Sequence, residues 1–494
     1  MLALPSRRWL PLILVPVFTA CGGGSPGAPS AAAPAVAVLP ARRPNIVFIL
    51  ADDLDVRTTA MMPRLPALIG QHGRTFERAY VTQALCAPSR ASILTGQFPH
   101  NHRVLDNTGP DGGFRAFRRG PEASTIATWL RAAGYRTALV GKYLNGYPTA
   151  ATPDYIPPGW DEWRAQLSDL TADRYVNYLL NENGTVNPYG ARDEEYETDV
   201  LTSRAVTFIE RSVQEQKPFF LYLAPDAPHL PAIPASRHAT LMNGTEAARV
   251  PSFNEPDVSD KPAFVRNATP MTETEIRKLD RTQTARLRTM LSVEDMLADV
   301  LTVLAANQVL DDTYVFFMSD NGLMLGEHRL VTTKDVNYEE AIRVPLVVMG
   351  PGIAAATHDE EHFVLNVDIA PTLAELAGVF VPDTVDGRSM VRLLRGETVT
   401  EWRRDAVTES ISYTGGLSAV LRTPEYAYSE IESGERELYD MRNDPYQVSS
   451  LHRRADPALM ARLSARLAQL TGCRRATCRA EGGQPISRRG GGEW

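Results

Sequence analysis

Five short apolar runs, each closed by polar or turn-forming residues, constrain this chain more than any other feature. They occupy residues 45–50, 136–140, 218–223, 313–318 and 344–349. Beyond one or two leading residues, each is continuously apolar rather than alternating, the pattern of a strand buried on both faces of a parallel sheet. Their ends are equally regular. The first stops at Ala51-Asp52-Asp53, the second at Gly141-Lys142, the third near Pro228-His229, the fourth at Ser319-Asp320-Asn321 and the fifth at Gly350-Pro351-Gly352. Helical patterns lie between the runs, at residues 124–133, 198–214, 272–308 and 368–377. Thr272 and Glu275 have the spacing of a capping box, and Asp368 stands where a cap belongs, with Gly378 beyond the far end. Strand and helix in alternation predict an α/β domain with a large, mostly parallel central sheet flanked by helices. Such sheets bind ligands outside the carboxyl ends of their strands. Asp52, Asp53, Lys142, His229, Asp320 and Asn321 all fall at those ends.

The 494 residues exceed what one small core needs, so an appendage is expected. The principal domain is read as residues 43–382. After it the pattern weakens into short antiparallel strands at 426–439 and a capped amphipathic helix at 456–471, a smaller C-terminal α+β subdomain spanning 383–480. Residues 481–494 read as a disordered tail. Residues 235–270, polar and Pro-rich, read as a long surface excursion, and long loops of this kind are often functional.

Arg7 and Arg8 precede an apolar stretch that ends at Thr19-Ala20-Cys21, which is the form of an export signal occupying residues 1–21. A cysteine at its end gives the form of a bacterial lipobox, with Cys21 as the lipidated residue. Residues 22–42, rich in Gly, Ala, Pro and Ser, read as a flexible tether. Together they describe an exported bacterial lipoprotein, held through a lipid anchor at a membrane of the cell surface or periplasm. The net charge of −8 argues against nucleic acid as a partner. It also requires that cations for an anionic substrate be supplied locally.

Asp52 and Asp53 at one strand end, with Asp320 and Asn321 at another, can converge on one point. Oxygen ligands alone select a hard cation, Ca²⁺ or Mg²⁺. Asp after a strand is also a common cap or turn residue. Cys86, in Leu85-Cys86-Ala87-Pro88-Ser89-Arg90, is open to two readings from its residues alone: a buried structural thiol, or a nucleophile activated by Arg90.

The run Cys86-Ala87-Pro88-Ser89-Arg90, followed by Ala91-Ser92-Ile93-Leu94-Thr95-Gly96, resembles the signature of the sulfatases. Further likeness lies in Pro44 through Asp53, Gly141-Lys142-Tyr143, Ala227-Pro228-His229, Ser319-Asp320-Asn321-Gly322 and Thr332-Thr333-Lys334. The resemblance runs from about Pro44 to Thr471. It implies an alkaline-phosphatase-like fold and oxidation of Cys86 to Cα-formylglycine by a formylglycine-generating enzyme. It implies a cation, Ca²⁺ with Mg²⁺ as the alternative, on Asp52, Asp53, residue 86, Asp320 and Asn321. Arg90, Lys142, His229 and Lys334 would surround the sulfate. Asp320 would take the nucleophile's proton, and His229, or else Lys334, would protonate the leaving oxygen. Many arylsulfatases carry a His two residues after the first lysine. Here Leu144 stands there, followed by Asn145, which leaves Asn145 and His328 as substrate-contact candidates. His328 reads equally well as a surface-loop histidine.

Within the family the chain looks most like the N-acetylglucosamine-6-sulfatase branch, through Pro99-His100-Asn101-His102, Asn107-Thr108, Lys142-Tyr143-Leu144-Asn145 and Leu291 to Asp295. That likeness extends to Cys473 and Cys478, implying a disulfide, and it implies 6-O-sulfated glucosamine in a sulfated saccharide as substrate. Two rivals stand beside it. One is a phosphonate monoester or phosphodiester hydrolase of the same fold. The other is a catalytically silent lipoprotein that binds sulfated glycans.

Overall fold

The structure, a computed structural model, describes residues 43–167, 170, 174–411, 414 and 416–480. The leader, Cys21, the 22–42 tether and the 481–494 tail lie outside the described residues. Among the described residues no helix is long and apolar enough to cross a membrane.

Ten strands form the central sheet: β1 (Asn45–Ala51), β2 (Arg74–Phe76), β3 (Arg136–Gly141), β4 (Glu162–Gln166), β5 (Tyr178–Glu182), β6 (Thr185–Tyr189), β7 (Phe219–Ala224), β8 (Thr313–Ser319), β9 (Leu346–Met349) and β10 (Thr357–Asp359). Their order is β10-β2-β9-β8-β1-β7-β3-β4-β5-β6. The five central strands, β8 to β4, are mutually parallel. The fifth apolar run departs from the sequence reading in one respect. It becomes β9, begins only at Leu346, and pairs antiparallel with both β8 and β2. Beyond β4 the pairing is antiparallel again.

Side chains alternate across a strand, and β1 shows why its run is continuously apolar. Ile46, Phe48 and Leu50 enter one core, with Ala91 and Leu94 of helix α1 (Cys86–Thr95), Ile126 and Leu130 of α2 (Ile126–Ala132), and residues of the C-terminal sheet. Val47, Ile49 and Ala51 enter the other, against Val200 and Phe208 of α3 (Glu197–Gln214) and Leu287, Met290 and Leu297 of α4 (Glu273–Ala306). Helix α4 starts at the capping box of Thr272 and Glu275. Helix α2 starts two residues later than its periodicity indicates, because Thr125 and Thr128 cap each other reciprocally.

Asp368 does not cap α5 (Ile369–Leu376) with its side chain. It already lies in helical backbone (φ −81°, ψ −12°), whereas a capping residue needs extended dihedrals. Its carboxylate instead pairs with the buried Arg403 and accepts from the backbone N–H of Arg388 and Leu365.

The C-terminal sheet is antiparallel: β11 (Ala406–Ser410), β12 (Ser418–Arg422), β13 (Tyr426–Ile431) and β14 (Arg436–Asp440). Helix α6 (Pro457–Thr471) buries Leu459, Leu463 and Leu467, spaced by four, and is capped by Asp456. Residues 235–270 are not a free surface excursion. Glu255 and Lys261 are buried and form an ion pair, Lys261 Nζ donates to Val448 O, and Asp260 accepts from Ser450 N. Polar sequence here meets polar partners inside the molecule, which the composition of the segment alone does not reveal.

Candidate active site

Strand register brings the site together. Ala51 pairs with Ser319, and Gly141 pairs with Ala224, so adjacent parallel strands end at matching levels. Asp52 and Asp53 leave β1, Asp320 and Asn321 leave β8, Lys142 leaves β3, and the turn to His229 leaves β7. Backbone bonds lock these ends, Asp320 N to Ala51 O and Asp52 N to Ala227 O, both 3.1 Å. Asp53 turns its chain in the left-handed region (φ 66°), which a short polar side chain tolerates.

Cys86 opens α1, the first helical residue after Leu85, and is fully buried. Its Sγ lies 3.4 Å from Asp52 Oδ1, 3.9 Å from Asp53 Oδ1 and 2.8 Å from Lys334 Nζ. Lys334 Nζ also donates to Asp53 Oδ1 at 2.5 Å. Lys142 Nζ donates to Asp52, and Arg90 Nε donates to Asp320 Oδ2 at 2.8 Å, while a second Arg90 nitrogen is 3.8 Å from Asp52. Asn321 Nδ2 donates to Asp53 Oδ1 at 2.6 Å. His229 Nε2 is 3.7 Å from Asp53 Oδ2, and its Nδ1 faces Leu230 O at 2.5 Å.

Three carboxylates therefore face three permanent cations. Burial would raise the pKa of Asp52, but Lys142, His229 and Arg90 together hold it well below the usual range. Asp53 is likewise lowered, chiefly by Lys334 acting against burial. Asp320 goes the other way: burial and the nearby Asp52 outweigh Arg90 and push it up to about 6. Burial pushes the Cys86 thiol up to about 12, with Asp52 adding to the effect. A thiol so raised is a poor nucleophile at neutral pH, which argues against Cys86 as an Arg-activated thiolate. Burial also pushes His229 down to about 4, against the pull of Asp52 and Asp53.

Ligand atoms of Asp52, Asp53, Cys86 and Asp320 lie within 4.8 Å of one another. Asn321 Oδ1 is buried beside them with no hydrogen-bond partner. Convergent carboxylate oxygens and an orphaned amide oxygen suit a hard divalent cation.

The two other candidates are not joined to this cluster. His328 is fully buried, so it is not a surface-loop residue. Its Nδ1 pairs with Glu255 at 2.6 Å and its ring stacks on Tyr338. Asn145 binds Phe114 N through its backbone carbonyl, and its side-chain oxygen is buried without a partner. Leu144 is buried in the apolar core. Cys473 and Cys478 are joined by a disulfide.

Three residues absent from the sequence reading matter here. Arg286, fully buried on α4, bonds to Asp53 O and to Asp55 Oδ2 behind the site. Asp226, just after β7, obeys the same strand-end rule that exposed the others. Arg174, 3.2 Å from Asp226, follows no apolar run and has no comparable signal. Two cavities, of about 380 and 500 Å³, are lined by none of the clustered residues.

A family model described as Sulfatase matches residues 44–379, and one described as N-sulphoglucosamine sulphohydrolase, C-terminal, matches residues 326–472. The goat (Capra hircus) protein named N-acetylglucosamine-6-sulfatase is 35% identical over 89% of this chain and 85% of its own length. A solved complex of a protein with its substrate D-glucosamine-2-N,6-O-disulfate has a TM-score of 0.71 at 25% identity, covering 86% of this chain and 97% of that one. The phosphonate monoester hydrolase from Silicibacter pomeroyi shares the fold, with a TM-score of 0.70 at 24% identity over 86% of this chain and 94% of that one.

Proposed function

Because the chain belongs to the sulfatase family, we propose that it removes 6-O-sulfate from N-acetylglucosamine in sulfated glycans, with Cys86 matured to Cα-formylglycine as its nucleophile. One observation carries this reading. The residue that the family signature marks for oxidation opens a helix within reach of Asp52, Asp53 and Lys334. The 35% identity to an N-acetylglucosamine-6-sulfatase over most of both chains supports the substrate.

Formylglycine, as its hydrate, supplies one hydroxyl to attack sulfur and a second whose deprotonation expels sulfate, which an ordinary serine lacks. A divalent cation, Ca²⁺ by family preference, would be held by Asp52, Asp53, Asp320 and Asn321, and would polarise the sulfate and the attacking hydroxyl. The chain's own residues do the rest. Cys86 Sγ stands in here for the formylglycine oxygen, so Lys334 places a positive charge beside the nucleophile. Arg90 and Lys142 hold Asp320 and Asp52 in place and face the centre where negative charge develops. Asp320, whose ligand atom lies within 4.8 Å of Cys86 Sγ, is placed to accept the nucleophile's proton. His229 has Nδ1 turned to a carbonyl, so Nε2 is the nitrogen that faces the centre. It would deliver a proton to the leaving oxygen only as the imidazolium, which a bound sulfate would favour against the burial that lowers its pKa.

Maturation would require a formylglycine-generating enzyme. The leader and the disulfide support export, with Cys21 as the anchor site. The test is matched turnover by protein whose formylglycine is confirmed by the mass of the tryptic peptide 79–90. Sulfate release from N-acetylglucosamine-6-sulfate is expected to exceed phosphonate monoester cleavage by at least about tenfold, roughly 1.4 kcal/mol of discrimination. The reverse preference would assign the chain to the phosphonate hydrolase reading. Glycan binding without turnover would assign it to the silent lipoprotein.

A further inference from the structure

The geometry points to Arg174 as a specificity-determining residue that reads a second anionic group on the substrate, beyond the sulfate being removed. The inference rests on the sulfatase reading above and deepens it.

Arg174 is bound to the His229 turn by two separate links. One of its guanidinium N–H groups donates to Asp226 Oδ1 at 3.2 Å. The next residue, Tyr175, donates its hydroxyl to His229 O at 2.6 Å and lies 3.3 Å from Asp226 O. Asp226 O in turn accepts from His229 N at 2.8 Å. Arg174 is thus fixed to the same four-residue turn, Asp226 to His229, that delivers His229 to Asp53. Its charge is felt at the reaction centre, for Asp226, then Asp52 and Cys86, oppose burial and raise its pKa.

The anchor is built for one purpose. Asp226 is completely buried, and its Oδ2 has no hydrogen-bond partner. Its neighbour Glu197, whose Oε1 accepts from Asp226 N, is also completely buried, and burial together with Asp226 raises its pKa well above the usual range. Asp226 itself is paired with Arg174. A buried carboxylate is costly unless paired, and here it holds a guanidinium by one edge beside the His229 turn. The Arg174 side chain keeps 17% of its surface exposed, against 0% for Arg90 and 2% for Lys142. Arg90 and Lys142 are committed to the carboxylates of the cluster. Arg174 is anchored outside that cluster and remains open to solvent, and its planar fork matches sulfate or carboxylate oxygens.

The second anion has two sources in a sulfated glycan: an N-sulfate on the same ring, or a uronate carboxylate on the adjoining one. Three substrates separate them: N-acetylglucosamine-6-sulfate, glucosamine-2-N,6-O-disulfate, and a disaccharide of uronic acid with N-acetylglucosamine-6-sulfate. We expect the wild type to turn over at least one of the two dianionic substrates with a higher kcat/KM than the monoanionic one. We expect R174Q to reduce that preference about tenfold or more, through KM, and R174K to reduce it less, since the charge survives but the planar fork does not. The substrate whose advantage collapses identifies the anion. Equal losses on all three substrates in R174Q would show a merely structural ion pair and overturn the inference. Should R174Q fold poorly, the wild type still decides: no preference for either dianionic substrate overturns it. Absence of sulfate release from all three by formylglycine-bearing wild type would instead overturn the sulfatase reading itself, and this inference with it.

Discussion

Replacing Lys334 by methionine tests the active-site geometry most directly. The substitution removes a charge while keeping the length of the side chain. Lys334 Nζ sits 2.8 Å from the atom that stands for the nucleophile's oxygen and 2.5 Å from Asp53 Oδ1. Coulomb's law at that separation, with an effective dielectric of about 20, gives roughly 6 kcal/mol between full charges. The nucleophile carries only part of a charge in the transition state, and loss of one well-placed donor elsewhere costs about 3–4 kcal/mol. The expected fall in kcat is therefore about 10²- to 10³-fold, with a smaller change in KM, because the interaction grows as charge develops. The assay is initial-rate sulfate release from N-acetylglucosamine-6-sulfate, normalised to the formylglycine content of the 79–90 peptide so that poor maturation is not mistaken for poor catalysis. A K334M enzyme with full formylglycine and kcat within threefold of wild type would refute the reasoning. A loss confined to KM would place Lys334 in ground-state binding instead.

Further predictions follow from other parts of the site. Chelation of divalent ions should abolish turnover and lower the thermal midpoint, and Ca²⁺ should restore both; a ligand at about 100 times its Kd stabilises by about 2.7 kcal/mol. Full activity after exhaustive chelation would exclude the oxygen-ligand assignment. H229A should lower kcat on the sugar sulfate by about 10²- to 10⁴-fold but spare an aryl sulfate whose phenolate leaves without a proton; equal losses on both would remove His229 as the acid. Away from the site, burial opposes charge on His100, but its hydrogen bond to Glu409 prevails and raises its pKa above 6.5. A raised folded pKa contributes stability that is complete below the unfolded value and fades as pH rises through the folded one. The stability gap between wild type and H100Q should therefore narrow as pH is raised from about 5 to about 9. A gap that widens would contradict the assignment.

How much was legible in the sequence depends on the kind of signal each residue carries. The buried parallel strands announce themselves because both their faces must be apolar, and the rule that ligands gather at carboxyl ends then selects Asp52, Asp53, Lys142 and Asp320 from among 59 acidic and 51 basic residues. The fifth run shows where that signal stops. Continuous burial says nothing of direction, and β9 is antiparallel because it returns beside β8 rather than crossing over the sheet. The helix starting at Thr272 was legible because capping is local in sequence. Asp368 was misread because its choice between a cap and Arg403 is settled 35 residues away. The burial of His328 was illegible for a similar reason: only the folded chain brings Glu255, 73 residues distant, to its Nδ1.

Arg174 marks the deepest limit. No apolar run leads to it, and nothing in its neighbours' sequence links it to Asp226, 52 residues on. Its importance comes from an anion buried at the end of β7 that needs a cation, and from a tyrosine next to it that bonds to the His229 turn. Strand ends can be found by periodicity. The residues that adjust a site to a particular substrate are recruited from loops by such long-range pairings, so in this chain the reaction class is written more plainly in the sequence than the substrate is.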